Sequence, residues 1–269
     1  MQPVVFIDSG VGGLPYYGAF KRAAPDRPVV YVADRANFPY GPKSREELSS
    51  ILVDLGRRIV SRFDPEMVVV ACNSASVSAL GPLRSALPDI PVVGTVPAVK
   101  PAALFSRKRR IGVLATERTV RDPYIAYLSE RFAPDCTMVG IAAPELVEFV
   151  EKRFLAATVA DRLSVAAGYI DRFRSLDVDA VVLGCTHFLF LAEEFSQSAV
   201  PDIAVFDSRE GVAKRALAVL EERRNGGPIQ GIRGPDRCYV TGENSAEDTW
   251  SAFSAFFNLE FEGSLERHG

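Results

Sequence analysis

Two stretches of the chain run from a short apolar strand through a small residue into a cysteine and then into hydrogen-bonding side chains. They are MVVVACNSA, starting at Met67, and AVVLGCTHF, starting at Ala180. An unbonded cysteine at the end of a strand is ordinarily a small buried hydrophobe. Here Cys72 is followed by Asn73, Ser74 and Ser76, which set amide and hydroxyl groups and a helix N-terminus beside the sulfur, surroundings that suit a thiolate. Cys185 repeats the arrangement with Thr186 and His187, and the recurrence separates both cysteines from core fillers.

Several chemistries use cysteine. A zinc site wants three or four ligands, and no CxxC pair or HxxxH cluster accompanies Cys185 and His187. A cysteine phosphatase needs an arginine shortly after its nucleophile, whereas NSASVSALG follows Cys72 and THFLFLAE follows Cys185. A Cys-His acyl-transfer enzyme could use His187 to activate a thiol, but it leaves the second cysteine unexplained. Two thiols on opposite faces of one carbon would account for both. Inversion of a stereocentre next to a carboxylate needs one group to remove a proton and a similar group to return one from the other side.

The segment Asp8-Ser9-Gly10-Val11-Gly12-Gly13 follows a strand and precedes a helix, so its backbone N–H groups could approach a carboxylate or phosphate. It is neither a dinucleotide fingerprint nor a P-loop. Its bland alternative is a tight turn in which Asp8 or Ser9 caps the helix.

The elements that must hold these residues are those of an α/β protein. Short β-branched runs alternate with segments of helical period, predicting strands at 4–7, 29–32, 67–71, 92–94, 111–115, 137–140, 180–183, 203–206 and 238–240. Most are continuously apolar and should be buried on both faces of a parallel sheet. Helices are predicted after Gly13 and over 44–63, 74–86, 120–131, 145–154, 159–174, 209–223 and 246–256. The repeated strand-cysteine pattern points to two related half-structures, crossed near 94–101 and 207–211. Residues 225–235 read as a Gly-rich loop, and the tail after Glu262 reads as loose.

The chain has 269 residues, enough for one large or two small domains. Its 31 basic and 34 acidic residues give a net charge of −3, which leaves no electrostatic footprint for nucleic acid or an anionic membrane. No run approaches the ~18 apolar residues of a membrane span, and no leader pattern opens the chain, so a cytoplasmic location with free thiols is expected.

These motifs together resemble the glutamate racemases of the cofactor-independent aspartate/glutamate racemase superfamily. DSGVGGL at 8–14, Pro39-Tyr40-Gly41, Ala71-Cys72-Asn73-Ser74-Ala75 and Gly184-Cys185-Thr186-His187 match that family's ordered motifs. Further similarity lies in the segments from Gly112, from Pro144 to Glu151, and at Val240-Thr241-Gly242. The resemblance implies two pseudo-symmetric α/β lobes with parallel central sheets and an active site in the interlobe cleft. One lobe would comprise 1–97 with 208–269, the other 98–207. It further implies that Cys72 takes the α-proton from D-glutamate and Cys185 from L-glutamate. Asp8 and His187 would assist the thiols, with Glu151 near the histidine. Ser9, Tyr40, Gly41, Asn73, Ser74 and Thr186, together with Asp8 and His187, would contact substrate. No cofactor and no metal are implied, and the product would be D-glutamate for peptidoglycan. The expected partner is glutamate, with neither nucleic acid nor membrane, and a homodimer is compatible with the resemblance. Ser74 stands where the family more often has threonine, Phe188-Leu189 where it has tyrosine-proline, and Ala143 where a cysteine is common. Aspartate racemase, a non-catalytic binder of dicarboxylic amino acids and a Cys-His amide hydrolase are the alternatives.

Overall fold

A computed structural model describes residues 2–223, 234–242 and 247–267. In chain order it begins β1 (Val4–Asp8), α1 (Leu14–Ala23), β2 (Val29–Ala33), α2 (Arg45–Phe63), β3 (Met67–Val70), α3 (Asn73–Ala86) and β4 (Val92–Gly94). There follow α4 (Val99–Phe105), β5 (Arg110–Ala115), α5 (Glu117–Arg121), α6 (Pro123–Phe132), β6 (Thr137–Ala142), α7 (Pro144–Lys152) and α8 (Val159–Ser175). Then come β7 (Ala180–Leu183), α9 (Ala192–Ala199), β8 (Ala204–Phe206), α10 (Arg209–Arg223), β9 (Arg237–Val240), α11 (Glu247–Phe256) and β10 (Glu260–Ser264). Residue contacts divide the chain into two units, Met1–Thr95 with Arg209–Gly269, and Val96–Ser208.

The first unit holds a six-stranded, all-parallel sheet in the order β10-β9-β2-β1-β3-β4. Its five residues of β1 are all buried, as a strand covered on both faces must be. On one face Val5, Ile7, Val68 and Val70 pack against α2 through Leu48, Leu52, Leu55 and Ile59, spaced so that one stripe of the helix meets the sheet. A capping box of Ser44 and Glu47 starts that helix. On the other face Phe6 meets Tyr17 and Phe20 of α1. Asp236 fastens β9 at its start: it accepts from the Val29 backbone N–H (2.8 Å), from the Tyr17 hydroxyl (2.9 Å) and from Lys21 Nζ (2.9 Å).

The second unit holds a four-stranded parallel sheet in the order β6-β5-β7-β8. That order repeats β2-β1-β3-β4, with the strand before each cysteine in the third sequence position of its set. The hydrogen bonds beyond the ladders repeat too. Ala71 N–H donates to Ile7 O (2.8 Å) as Gly184 N–H donates to Leu114 O (2.7 Å), and Asp34 N–H donates to Asp8 O (2.7 Å) as Ala143 N–H donates to Ala115 O (3.0 Å). The duplication visible as sequence is therefore a duplication of topology.

Three expectations are corrected. The helix read over 120–131 is two helices broken at Asp122, because Pro123 drives the preceding residue out of helical backbone (φ −70°, ψ 132°). The tail after Glu262 is ordered through Arg267: Ser264 ends β10 and Leu265 is buried. Neither Asp8 nor Ser9 caps α1, whose N-cap is Gly13. The loop read over 225–235 lies outside the described residues up to 233.

Candidate active site

In the first unit the carboxyl ends of β1 and β3 lie side by side, Ile7 pairing with Val70, so the segments leaving them emerge together. Asp8 is fully buried, and its Oδ1 accepts from the Ser9 backbone N–H (2.5 Å) and hydroxyl (3.3 Å). The glycine loop beyond is pinned by one hydroxyl. Tyr31 Oη donates to Gly10 O (2.7 Å) and accepts from Gly13 N–H (3.1 Å). A Cβ at Gly13 would stand 2.9 Å from Ala71 Cβ and 2.9 Å from that hydroxyl, so only glycine lets the loop lie this close to the strand carrying Cys72. Tyr31→Phe should leave both loop groups unpaired and cost ~1–3 kcal/mol, read as a lower urea midpoint at unchanged m-value.

Cys72 is the N-cap residue of α3, with extended backbone (φ −139°, ψ 123°), and its carbonyl accepts from Ser76 N–H (2.9 Å). Its sulfur thus stands at a helix N-terminus formed with Asn73 and Ser74, both buried. The Ser76 hydroxyl serves elsewhere: it donates to Val70 O (3.1 Å) and accepts from Thr95 N–H (2.9 Å), holding α3 to the end of β4. Tyr40 is buried in the same cluster as Cys72 and Ala75, with Gly41 half-buried beside it. Burial pushes the Tyr40 phenol well above its usual range. The Asp34 carboxylate that accepts its hydrogen bond (2.7 Å) acts in the same direction, as do Cys72 and Asp8.

In the second unit Cys185 opens a 3-10 turn, Thr186–Leu191, whose residues are all buried. Gly184 before it is closely packed: a Cβ there would lie 3.1 Å from Ala115 Cβ and 3.3 Å from Leu114 O, so a side chain would need its neighbours to give by a few tenths of an ångström. His187 Nδ1 is 4.0 Å from Cys185 Sγ, and Nε2 is 2.7 Å from Glu151 Oε1 on α7. Burial opposes a charge on the imidazole, but the hydrogen bonds to Cys185 and Glu151, reinforced by their charges, prevail and raise His187 well above its usual 6.5. A protonated His187 has an N–H for each neighbour.

Each expected site residue therefore falls into one of two groups. Asp8, Ser9, Tyr40, Gly41, Cys72, Asn73 and Ser74 lie in the first unit, and Glu151, Cys185, Thr186 and His187 in the second. Asp34 was not foreseen, although an acid at the carboxyl end of an apolar run, as with Asp8, is the signal that could have found it. Among the described residues no cluster of three or more His, Cys, Asp or Glu could hold a metal ion, and no helix is long and apolar enough to cross a membrane.

A family model described as Asp/Glu/Hydantoin racemase matches residues 13–216, a span that contains both cysteines, His187 and Glu151. The chain belongs to this racemase family. A glutamate racemase from Sphingopyxis alaskensis is 45% identical over 215 residues, covering 79% of this chain and 80% of that protein. One from Treponema pallidum is 37% identical over 263 residues, covering 97% and 96%. Among solved structures, the Escherichia coli glutamate racemase in complex with L-glutamate and the activator UDP-MurNAc-ala shares the fold with a TM-score of 0.87. It is 31% identical and is covered over 98% of both chains. As a racemase the protein is an isomerase, and its two-lobed α/β architecture with parallel sheets is that of the family.

Proposed function

We propose that this racemase interconverts L- and D-glutamate by two-base proton transfer at Cα, with no cofactor, and that it supplies D-glutamate for peptidoglycan in the cytoplasm. The observation that carries this reading is the repetition itself. Two parallel sheets that share a four-strand order each lead, two residues beyond the third strand of that set, to a cysteine followed by polar residues. The close relatives named as glutamate racemases support glutamate as the substrate.

In this mechanism the Cys72 thiolate takes the α-proton of D-glutamate as the C–H electron pair stays on Cα. The Cys185 thiol then gives its proton to the opposite face, leaving Cys72 as thiol and Cys185 as thiolate. From L-glutamate the roles exchange. An α-proton beside a carboxylate is weakly acidic, so the charge developing on the α-carboxylate must meet oriented donors in a water-poor site. The α3 N-terminus with Asn73 and Ser74, and the hydroxyl of Thr186, are suited to that work, while the Ser9 hydroxyl is turned to Asp8. Asp8 is the anionic partner for an ammonium kept protonated, which itself stabilises the adjacent carbanion. His187, held by Glu151, places a proton-bearing nitrogen toward Cys185.

The test is incubation of chelator-treated, dialysed protein with L- and D-glutamate in deuterated water, without pyridoxal phosphate. Both enantiomers should acquire deuterium at Cα and invert. Glutamate should exceed aspartate in kcat/KM by at least about tenfold, roughly 1.4 kcal/mol of transition-state discrimination. Equal or reversed values would reassign the substrate, absence of exchange would indicate a binder, and release of ammonia a hydrolase.

A further inference from the structure

The end of β2 carries a second fully buried acid. Asp34 is met by donors: Tyr40 Oη to Oδ2 at 2.7 Å, Asn37 Nδ2 to the same oxygen at 3.0 Å, and Thr241 Oγ1 to Oδ1 at 2.5 Å. Its backbone N–H donates to Asp8 O at 2.7 Å. Thr241, just beyond β9, donates its own N–H to Ala33 O (3.0 Å), and its hydroxyl accepts from Ala36 N–H (3.1 Å). One carboxylate therefore ties together the ends of β1, β2 and β9 and the turn bearing Tyr40 and Gly41.

Burying a carboxylate is costly even when it is well satisfied, and a neutral group could join strand ends. A carboxylate differs from a neutral group in being an acceptor only. It commits the single proton of Tyr40 to itself, leaving the phenol oxygen nothing but lone pairs for any other neighbour. Tyr40 belongs to the same buried cluster as Cys72 and Ala75, so fixing its ring constrains the core on which the Cys72 half-site rests.

We propose that Asp34 is a positioning residue of the racemase, acting through Tyr40 and the Asp8 strand end on the Cys72 thiol, and that the Tyr40 hydroxyl does not itself clasp a substrate carboxylate. The inference rests on the proposed glutamate racemisation. Carboxylate recognition then falls to the remaining donors, and loss of Asp34 misplaces reacting groups without removing a carboxylate-binding contact.

The experiment compares parent, Asp34→Asn, Tyr40→Phe and the double variant, with glutarate, which has both carboxylates and no ammonium, as competitive inhibitor. Each single variant should lower kcat about tenfold or more through misplacement. Glutarate inhibition constants should stay within about twofold of the parent, and Tyr40→Phe should cost little further once Asp34 is asparagine. Three results would each overturn the proposal: kcat/KM within threefold of the parent in folded Asp34→Asn, losses that multiply in the double variant, or glutarate binding weakened by the same factor as kcat/KM. If Asp34→Asn does not fold, Thr241→Val removes a donor from the other carboxylate oxygen. A loss of threefold or more in kcat with glutarate binding unchanged then supports the proposal, and an unchanged kcat overturns it. A parent protein inactive on glutamate would instead remove the functional reading beneath it, an outcome distinct from all of these.

Discussion

Cys185→Ala should lose net racemisation by at least about 10²–10⁴-fold, the contribution typical of a positioned acid or base, while still exchanging the α-hydrogen of D-glutamate with solvent through Cys72. Cys72→Ala should do the converse with L-glutamate. Steady-state rates alone cannot show this asymmetry. Enantiomers have equal free energy, the equilibrium constant is one, and kcat/KM must be the same in both directions for every variant. Only exchange without inversion, followed by mass spectrometry in deuterated water, reports which thiol serves which face. Cys238→Ala is the control: it lies within β9, where burial pushes its thiol up to about 12, and its loss should leave racemisation near the parent rate. Racemisation by Cys72→Ala or Cys185→Ala at close to the parent rate would refute the two-thiol mechanism.

The second large effect concerns the buried pair His187 and Glu151. His187→Asn should lower kcat/KM by about 10²-fold or more, because a proton-bearing group beside Cys185 is removed. Glu151→Gln keeps the hydrogen bond and removes the charge, so the alkaline limb of kcat/KM should move to lower pH. The same pair has a signature in stability. The folded value of His187 is raised above its unfolded value of about 6.5, so the folded protein binds the extra proton between the two. Stability from this group is full below about pH 6.5 and is lost as pH rises through the folded value. Melting temperatures of parent and His187→Asn should therefore converge as pH rises through that window, and curves that stay parallel would contradict a raised value. The chain has two histidines, so the His187→Asn variant also assigns the ring resonances directly.

Much of the fold was legible because buried parallel strands are written as uninterrupted apolar runs, and both cysteine strands are of that kind. What escaped was written differently. The strand Glu260–Ser264 carries two glutamates around Phe261 and a bulge in its pairing, since it forms an edge of the sheet and has one side in solvent. Helix Ala192–Ala199 is short and polar, and its buried Glu194 is explained by an ion pair with Arg162 at 2.8 Å that no local pattern announces. Within the candidate site, residues next to the strand-end cysteines could be read from adjacency. Glu151 came from resemblance, and its pairing with His187 spans 36 positions that only the fold brings together. Asp34 went unread because its meaning depends on Thr241, more than two hundred residues away.

The first unit is assembled from two separated parts of the chain, and that has a consequence during synthesis. The strands of the second unit have all been made once Ser208 is added, and this unit can fold as the ribosome continues. The first unit began earlier but cannot close its sheet until β9 and β10 arrive, about fifty-five residues later, some 3–11 s at ribosomal rates of ~5–20 residues per second. For roughly the first half of that interval, until Val240 has been added, the outer edge of β2 has no β9 to pair with and Val29 waits for Asp236; after it the edge of β9 waits for β10. The nascent protein should therefore be most open to chaperones and to mispairing in its earliest-made unit, with the latest-made strands as the cap that ends the exposure.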